Sequence, residues 1–509
     1  MRFGGELDPK NRWIQLTRLI PWESYEKDYA GLFPSGRGAP AKPFRMALGA
    51  LLIKNMKRIT DEEVVEELKE NPYLQYLVGL EKYQSEAPFD ASMMVHFRKR
   101  ISVETLQEIN EQIVKLQLER EEKAKKKGKN KRESSGSDDR SEGGSGAGIE
   151  NKSADEEQDE VLKKGHLLVD ATCVPADIRY PTDISILNEA REKSEEIIDV
   201  LHELIKGNTK KPRTYRQNAR KDFLQVARSR KPSKKVIRKG IRKQLQYLKR
   251  NLGYIGELIK HTPLSVLSKQ QYKNLLVIQE VYRQQMEMYE ERKHKISGRI
   301  VSVSQPHVRP IVRGKARASV EFGAKISVAK IDGYAFLETM SWEPYHEGNK
   351  LKEHIEVYNQ RFGYYPESWS FSKKLLGKTA KLFYTYFADK IYRTRDNLKY
   401  CKGLGIRLGG PPLGRPPKDK EKHKALLRAS REDERLRIPI EGVFGVAKRR
   451  YGMDVIREKL SVTSENTLAM VILGLNLNKI LRNLFVLLYR HFGWVNFRLV
   501  FRCKLAEIM

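Results

Sequence analysis

Between Arg120 and about Glu160 the chain carries no apolar periodicity, and this gap decides which parts of it can fold together. Lys/Arg-rich KAKKKGKNKR gives way to ESSGSDDRSEGGSGAG and then to acidic ADEEQDE. Such a stretch buries too little surface to offset the entropy of ordering it. The expectation is a disordered charged and Gly/Ser linker over 116–164. It separates a helical segment, 1–115, from a much longer remainder. Elsewhere the chain has the means to build a core, since 39% of its 509 residues are hydrophobic. Its length suggests two to four domains at about 150 residues each.

Ninety-seven Lys and Arg stand against 65 Asp and Glu, a formal charge of +32. A polyanion is therefore the leading partner, a merely basic soluble protein the plainer alternative. Cys173, Cys401 and Cys503 are scattered, with no CxxC pair and no His at metal spacing. That excludes a disulfide scaffold and a zinc finger, and it fits a reducing compartment. The opening MRFGGELDPKNRW lacks the basic-then-apolar pattern of a secretory signal. Leu468 to Leu488, the most apolar late stretch, is broken by Asn476, Asn478, Lys479, Arg482 and Asn483. It reads as a buried helix and not as a membrane span. A cytoplasmic, nucleoid-associated protein is expected.

The first segment, from about Pro43 to Ile101, reads as short helices. Met46, Leu48, Leu51 and Leu52 fall at helical spacing. Thr60-Asp61-Glu62-Glu63 is a capping box opening a helix with Val64, Val65 and Leu68 inward. Asn71-Pro72 caps and starts a third helix. Asp90 or Ser92 starts a fourth, with Met93, Met94 and Phe97 inward and His96, Arg98, Lys99 and Arg100 outward. A basic last helix suits a DNA groove; a solvated basic face is the plainer alternative.

The remainder reads as a mixed sheet with helices on its faces. His166-Leu167-Leu168-Val169 is a buried strand ending at Asp170. Phe322, Ala324, Ile326 and Val328 alternate with polar or small residues, and Asp332-Gly333 turns the chain into a second strand, Tyr334 to Trp342. Leu351, Ile355 and Tyr358 mark a helix. Leu382 to Ala388 is strand-like and ends at Asp389, Gly405 to Leu408 is a short candidate strand, and helices cover about 420–436 and 439–450. Between the first two strands, 189–299 is a helical insertion. Within it, Lys206 to Lys243 holds sixteen Lys/Arg and one acid, Asp222, with Tyr215, Phe223 and Tyr247 in or beside the run. Such a face suits phosphate contacts independent of base sequence; a solvated charge run is the alternative.

No phosphate-cradling GxxxxGK[ST], HExxH or GxSxG motif is present. What stands out are acids at strand ends. Asp170 and Asp389 each follow an apolar run, where a carboxylate is costly unless it is paired or binds a cation. Glu441 follows Pro439, which suggests a helix start, with Lys448 seven residues on and Arg437 four residues back. Three carboxylates can hold two Mg²⁺ or Mn²⁺ ions for phosphodiester chemistry. Asp177 and Asp183 compete for the first position, but only Asp170 follows the strand.

At these residues the chain resembles bacterial insertion-sequence transposases of the DDE type. LLIKNMKRITDEEVVEELKENPYLQYLVGL and PFDASMMVHFRKRI are similar to the family's helical N-terminal domain. LLVDATCVPADIRYPTD, FADKIYRTRDNLKYCKGLGIRLGGPPLGRP and RIPIEGVFGVAKRRYG resemble the segments of the three acids. QPHVRPIVRGKARASVEFGAKISVAKIDGYAF resembles the strand pair between. The resemblance implies an RNase H-like catalytic domain over 165–188 and 300–485, with 486–509 as a tail. It implies Asp170, Asp389 and Glu441 as catalytic metal ligands, Arg437 and Lys448 as catalytic phosphate contacts, and Arg98, Lys99 and Arg100 as DNA contacts. Two Mg²⁺ (or Mn²⁺) ions, double-stranded DNA at element ends and target, and a dimer or larger synaptic complex follow from the same resemblance. The chain departs from the pattern at Glu434, where the family often has Tyr, and in the long stretch from about Ser368 to Phe387. Two alternatives are an inactive remnant that only binds DNA and a nuclease acting on RNA–DNA hybrids.

Overall fold

The computed structural model of the chain describes residue 3 and residues 5–33, 40–133, 167–207, 209–312, 320–366, 384–386, 390–410, 413–415 and 417–506. Seven helices come first: α1 (Arg12–Leu19), α2 (Trp22–Gly31), α3 (Phe44–Lys57), α4 (Asp61–Glu70), α5 (Pro72–Leu77), α6 (Met93–Arg100) and α7 (Val103–Glu133). The expected capping box is present on α4, where Thr60 Oγ1 accepts from Glu63 N and the Glu63 carboxylate accepts from Thr60 N. Asn71 caps α5, with Pro72 in its first turn. Helices α1 and α2 lie ahead of the stretch read as helical and bury Trp13, Leu16, Trp22 and Tyr25. Helix α7 overruns the linker boundary placed at 116. Leu106, Ile109, Ile113 and Val114 anchor it in the core, and Glu121 accepts from Tyr334 Oη at 2.7 Å. Its helix therefore carries on into the charged sequence.

Strand β1 (Leu167–Pro175) leads into α8 (Asp183–Glu203), α9 (Arg216–Ala227), α10 (Lys234–Ile259) and α11 (Lys269–Glu290). These four helices have a core of their own, including Ile186, Leu187, Leu248 and Ile278. Helix α8 starts at a Thr182 capping box, six residues before the expected start of the insertion. Then follow β2 (Arg309–Val312), β3 (Val320–Ile331), β4 (Tyr334–Ser341), α12 (Leu351–Phe362), β5 (Tyr384–Tyr386), α13 (Arg395–Gly403), β6 (Ile406–Leu408), α14 (Lys420–Tyr451) and α15 (Ser461–Ala506). β2 and α13 had no counterpart in the sequence pattern. The tail expected from 486 is the continuation of α15, and the two helices expected at 420–436 and 439–450 are one, α14, with Pro439 inside it.

β3 is the central strand. It pairs antiparallel with β1 from Leu167↔Ile331 to Pro175↔Gly323, and with β4 and β2. Asp332 and Gly333 both have positive φ, 49° and 88°, which the tight turn between β3 and β4 demands and which the Asp-Gly pair supplies. Gly323 has no room for a Cβ, which would sit 2.0 Å from Val174 O. β5 and β6 pair in parallel, and β5 lies against β1. The architecture is mixed α/β, as expected.

Helix α15 joins the N-terminal helices to the sheet. Leu473 and Leu477 share one core with Leu48, Leu52, Phe97, Ile109 and Phe336. Three of the polar residues that interrupt its apolar stretch have partners. Asn476 Nδ2 donates to Asn110 Oδ1 (2.8 Å) and Ala335 O (2.7 Å), while its Oδ1 accepts from Ala335 N (2.9 Å). Asn478 donates to Tyr451 Oη, and Lys479 Nζ lies over the Tyr334 ring. No helix among the described residues is long and apolar enough to cross a membrane. Replacing Asn476 by Ala strands buried partners on α7 and β4, and is expected to lower stability by about 3 kcal/mol in urea unfolding.

Candidate active site

Alternation along β1 puts Leu168, Asp170, Thr172 and Val174 on one face, and α14 packs against β1. Asp170 is largely sheltered. Its Oδ1 accepts from Ala171 N at 2.8 Å and its Oδ2 from Arg437 Nη1 at 3.0 Å. The other arm of the same guanidinium, Nη2, donates to Glu441 Oε1 at 2.8 Å. One cation thus bridges two carboxylates from opposite ends of the domain. Glu441 is the more open of the two, with a side chain 55% exposed against 15% for Asp170. Lys448 Nζ donates to Thr172 Oγ1 (3.1 Å) and Cys173 O (3.2 Å), so it fastens α14 to the same strand two turns farther on. Arg437, Glu441 and Lys448 share a helix face because their spacings of four and seven bring each back to nearly the same angle.

A second cluster lies beside Asp170. Ser327 Oγ and Tyr345 Oη are 2.7 Å apart, and Lys325 Nζ meets Glu347 Oε1 at 2.8 Å and donates to Tyr345 O at 2.9 Å. Burial pushes the Tyr392 phenol far above its ordinary pKa, with the carboxylates of Glu347 and Asp170 adding to it. The β3–β4 register shifts between Ser327 and Val328, the residues facing Ala171 and Asp170 across the β1–β3 pair. A bulge there re-aims side chains at the level of the acid.

The expected site residues fare differently. Asp170, Arg437, Glu441 and Lys448 come together. Asp389, and nearly all of the long stretch before it, lies outside the described residues. Among the described residues no group of three or more His, Cys, Asp or Glu is arranged to hold a metal ion. Glu441 does not open a helix. Pro439 sits within α14, where it costs the backbone one hydrogen bond, and its own carbonyl accepts from Lys330 Nζ at 3.1 Å. Asp183 sits in the first turn of α8, paired with Arg299 (2.7 Å) and Gln285 (3.1 Å) and not with Arg437. Arg98, expected to face outward, points inward. It grips both oxygens of the half-buried Asp61, at 2.9 and 2.6 Å, because a buried guanidinium needs a counter-charge. Lys99 is exposed, and Arg100 lies over the Phe33 ring at 4.4 Å.

Asp433 escaped the sequence reading. It is buried one turn before Arg437, accepts from Arg407 Nη1 (3.0 Å) and Nη2, and takes Gly410 N at 2.8 Å. Arg407 is the middle residue of β6 and pairs with Thr385 of β5. This ion pair therefore bolts the helix carrying Glu441 to the strand pair that leads toward Asp389. The signal was its spacing, four before Arg437 and eight before Glu441, which shows only once the helix is taken through Pro439.

Two family models match this chain. One, described as a transposase DDE domain, covers residues 386–478; the other, described as a transposase domain (DUF772), covers residues 2–100. Both matches, at residues 2–100 and 386–478, are to domains of transposases, and they support an insertion-sequence transposase of the DDE type. It is also similar to an uncharacterized protein, ORF8 of the nfe locus in Rhizobium meliloti, at 37% identity over 119 residues. That match covers 23% of this chain and 56% of the relative, so the chain spans a little over half the length of that protein. No solved structure matches. Within the DDE match lie Asp389, Asp433, Arg437, Glu441 and Lys448, while Asp170 lies ahead of it.

If Asp433 is the bolt, Asp433→Ala leaves Arg407 without its counter-charge. It is expected to cost about 2 kcal/mol in thermal or urea unfolding, below the usual range for a buried pair because Arg407 reaches solvent. Asp433→Asn, which keeps an acceptor for Gly410 N, is expected to cost less.

Proposed function

We propose that this chain is a DNA transposase that cuts at insertion-sequence ends and joins the freed strand to target DNA. The observation that carries this reading is the Arg437 bridge, which joins Asp170 and Glu441 through one guanidinium although Asp170 and Arg437 are 267 residues apart. The strand arrangement supports an RNase H-like domain. β4, β3 and β1 are antiparallel neighbours, β5 lies against β1, and β6 runs parallel to β5. Helices α3 to α6 then form the end-recognition module, with Lys99 and Arg100, and not Arg98, facing DNA.

Two convergent carboxylates now neutralised by a guanidinium fit a hard divalent cation in donor chemistry. Asp170 and Glu441, joined by Asp389, would hold Mg²⁺ or Mn²⁺, which supplies charge neutralisation of the phosphodiester and a more acidic bound water. The chain's own groups do the rest. Asp170 is fixed by its backbone bond from Ala171, and Glu441 by the rigid helix that Lys448 ties to β1. Arg437 holds the two acids at a fixed spacing and turns its donors to a phosphate oxygen when DNA enters. In the first step a water oxygen attacks phosphorus and the P–O3′ bond breaks, leaving a 3′-hydroxyl on the element. In the second step that hydroxyl attacks a target phosphodiester and displaces the target's own 3′-oxygen. Handling two ends together calls for a dimer or larger synaptic complex, working at the nucleoid.

The test is strand cleavage of element-end duplex DNA with Mg²⁺. Asp170→Ala and Glu441→Ala are each expected to lose at least about a thousandfold in rate while still binding DNA. Equal cleavage by all three proteins would remove the mechanism. Binding without cleavage by the wild type would leave an inactive DNA-binding remnant.

A further inference from the structure

The basic run from Lys206 to Lys243 forms α9, the start of α10 and the loops around them. Four of its sixteen Lys/Arg, namely Lys206, Lys211, Arg216 and Lys243, meet a carboxylate; among the described residues the others meet none. At one end of this surface stands Tyr215. Its backbone is left-handed, φ 54° and ψ 30°, a conformation that few residues other than Gly, Asn and Asp adopt. The residue is 37% exposed, so core packing does not account for keeping a tyrosine there. What the ring touches is two guanidiniums, Arg213 at 4.8 Å and Arg250 at 4.6 Å from its centre. Arg250 also lies over Tyr247, whose hydroxyl is fixed by Asp222 at 2.9 Å.

Two cations are thus gathered on one exposed ring with no carboxylate to balance them. A guanidinium held over a ring by its π face keeps N–H donors for phosphate oxygens, and here two such groups share one ring. The geometry points to Arg213, Tyr215 and Arg250 as a preorganised clamp for the sugar-phosphate backbone of duplex DNA, contacted without regard to base sequence. The inference rests on the transposase reading, which supplies DNA as the polyanion. It goes further in assigning flanking or target DNA to this edge of the helical insertion, away from the catalytic acids. Tyr215 holds a strained backbone because its ring splints the arginines.

The test measures binding of the full chain to a random-sequence duplex and to a candidate element-end duplex over a range of salt. Tyr215→Gly, which suits the left-handed backbone, should melt at the same temperature or higher yet bind both duplexes about tenfold more weakly. The pair Arg213→Gln/Arg250→Gln should lower the slope of log K against log salt by about 2, equally for both duplexes. Unchanged affinity and slope in the arginine pair would overturn the clamp and leave the transposase reading standing. So would weakening confined to one of the two duplexes. A Tyr215→Gly protein that melts lower with affinity intact would show the ring to be a packing element and overturn it too. Failure of the wild type to bind either duplex would count against the transposase reading itself.

Discussion

The structure turns on a single guanidinium. Two carboxylates brought within the span of one side chain repel each other, and a sheltered one such as Asp170 is costly without a counter-charge. Arg437 removes that cost for both acids at once. The consequences run outward from it. Helix α14 must lie across β1 at one fixed height, and Lys448 and Asp433 hold it there from either side of the bridge. An arginine so placed also defines what an entering cation has to replace: a positive charge between two oxygen donors.

Around that bridge the fold works by holding distant pieces of chain to one strand. β3 pairs on both edges and sets the register of β1, and with it the height of Asp170. β5 reaches β1 from the far side, and the Asp433–Arg407 pair ties β6, and through it β5, back to α14. Helix α15 then seals the sheet against the N-terminal helices. Asn476 completes the backbone bonds of Ala335, so the apolar stripe can stay long without exposing polar groups on β4. The N-terminal helices thus share one core with the sheet that carries Asp170.

Local signals in the sequence carried well. The Thr60 box, the Asn71-Pro72 start and the Asp332-Gly333 turn depend on a few neighbouring residues, and the structure has each of them. Arg437, Glu441 and Lys448 were readable from a helix spacing, and Asp170 from the apolar run before it, although β1 does not end there as expected but continues through Asp170 to Pro175. What escaped depends on tertiary context. Pro439 reads locally as a helix start, but packing of Ile440, Phe444 and Ala447 carries the helix through it. Helix α7 outlasts its apolar stripe for the same reason, anchored by what lies before. Arg98 has the composition of a DNA contact, and only its ion pair with the half-buried Asp61 opposite reveals its role. Asp433 is a charged residue among charged residues until β6 is placed beside it.

If Asp170 and Glu441 serve one cation position, their contributions to binding a cation cannot be independent. Titration of Mn²⁺ into the wild type, Asp170→Asn, Glu441→Gln and the double variant, followed by calorimetry, reads that coupling directly. The account predicts that either single change weakens binding nearly as far as both together. Additive losses, or Mn²⁺ bound undiminished by the double variant, would contradict it.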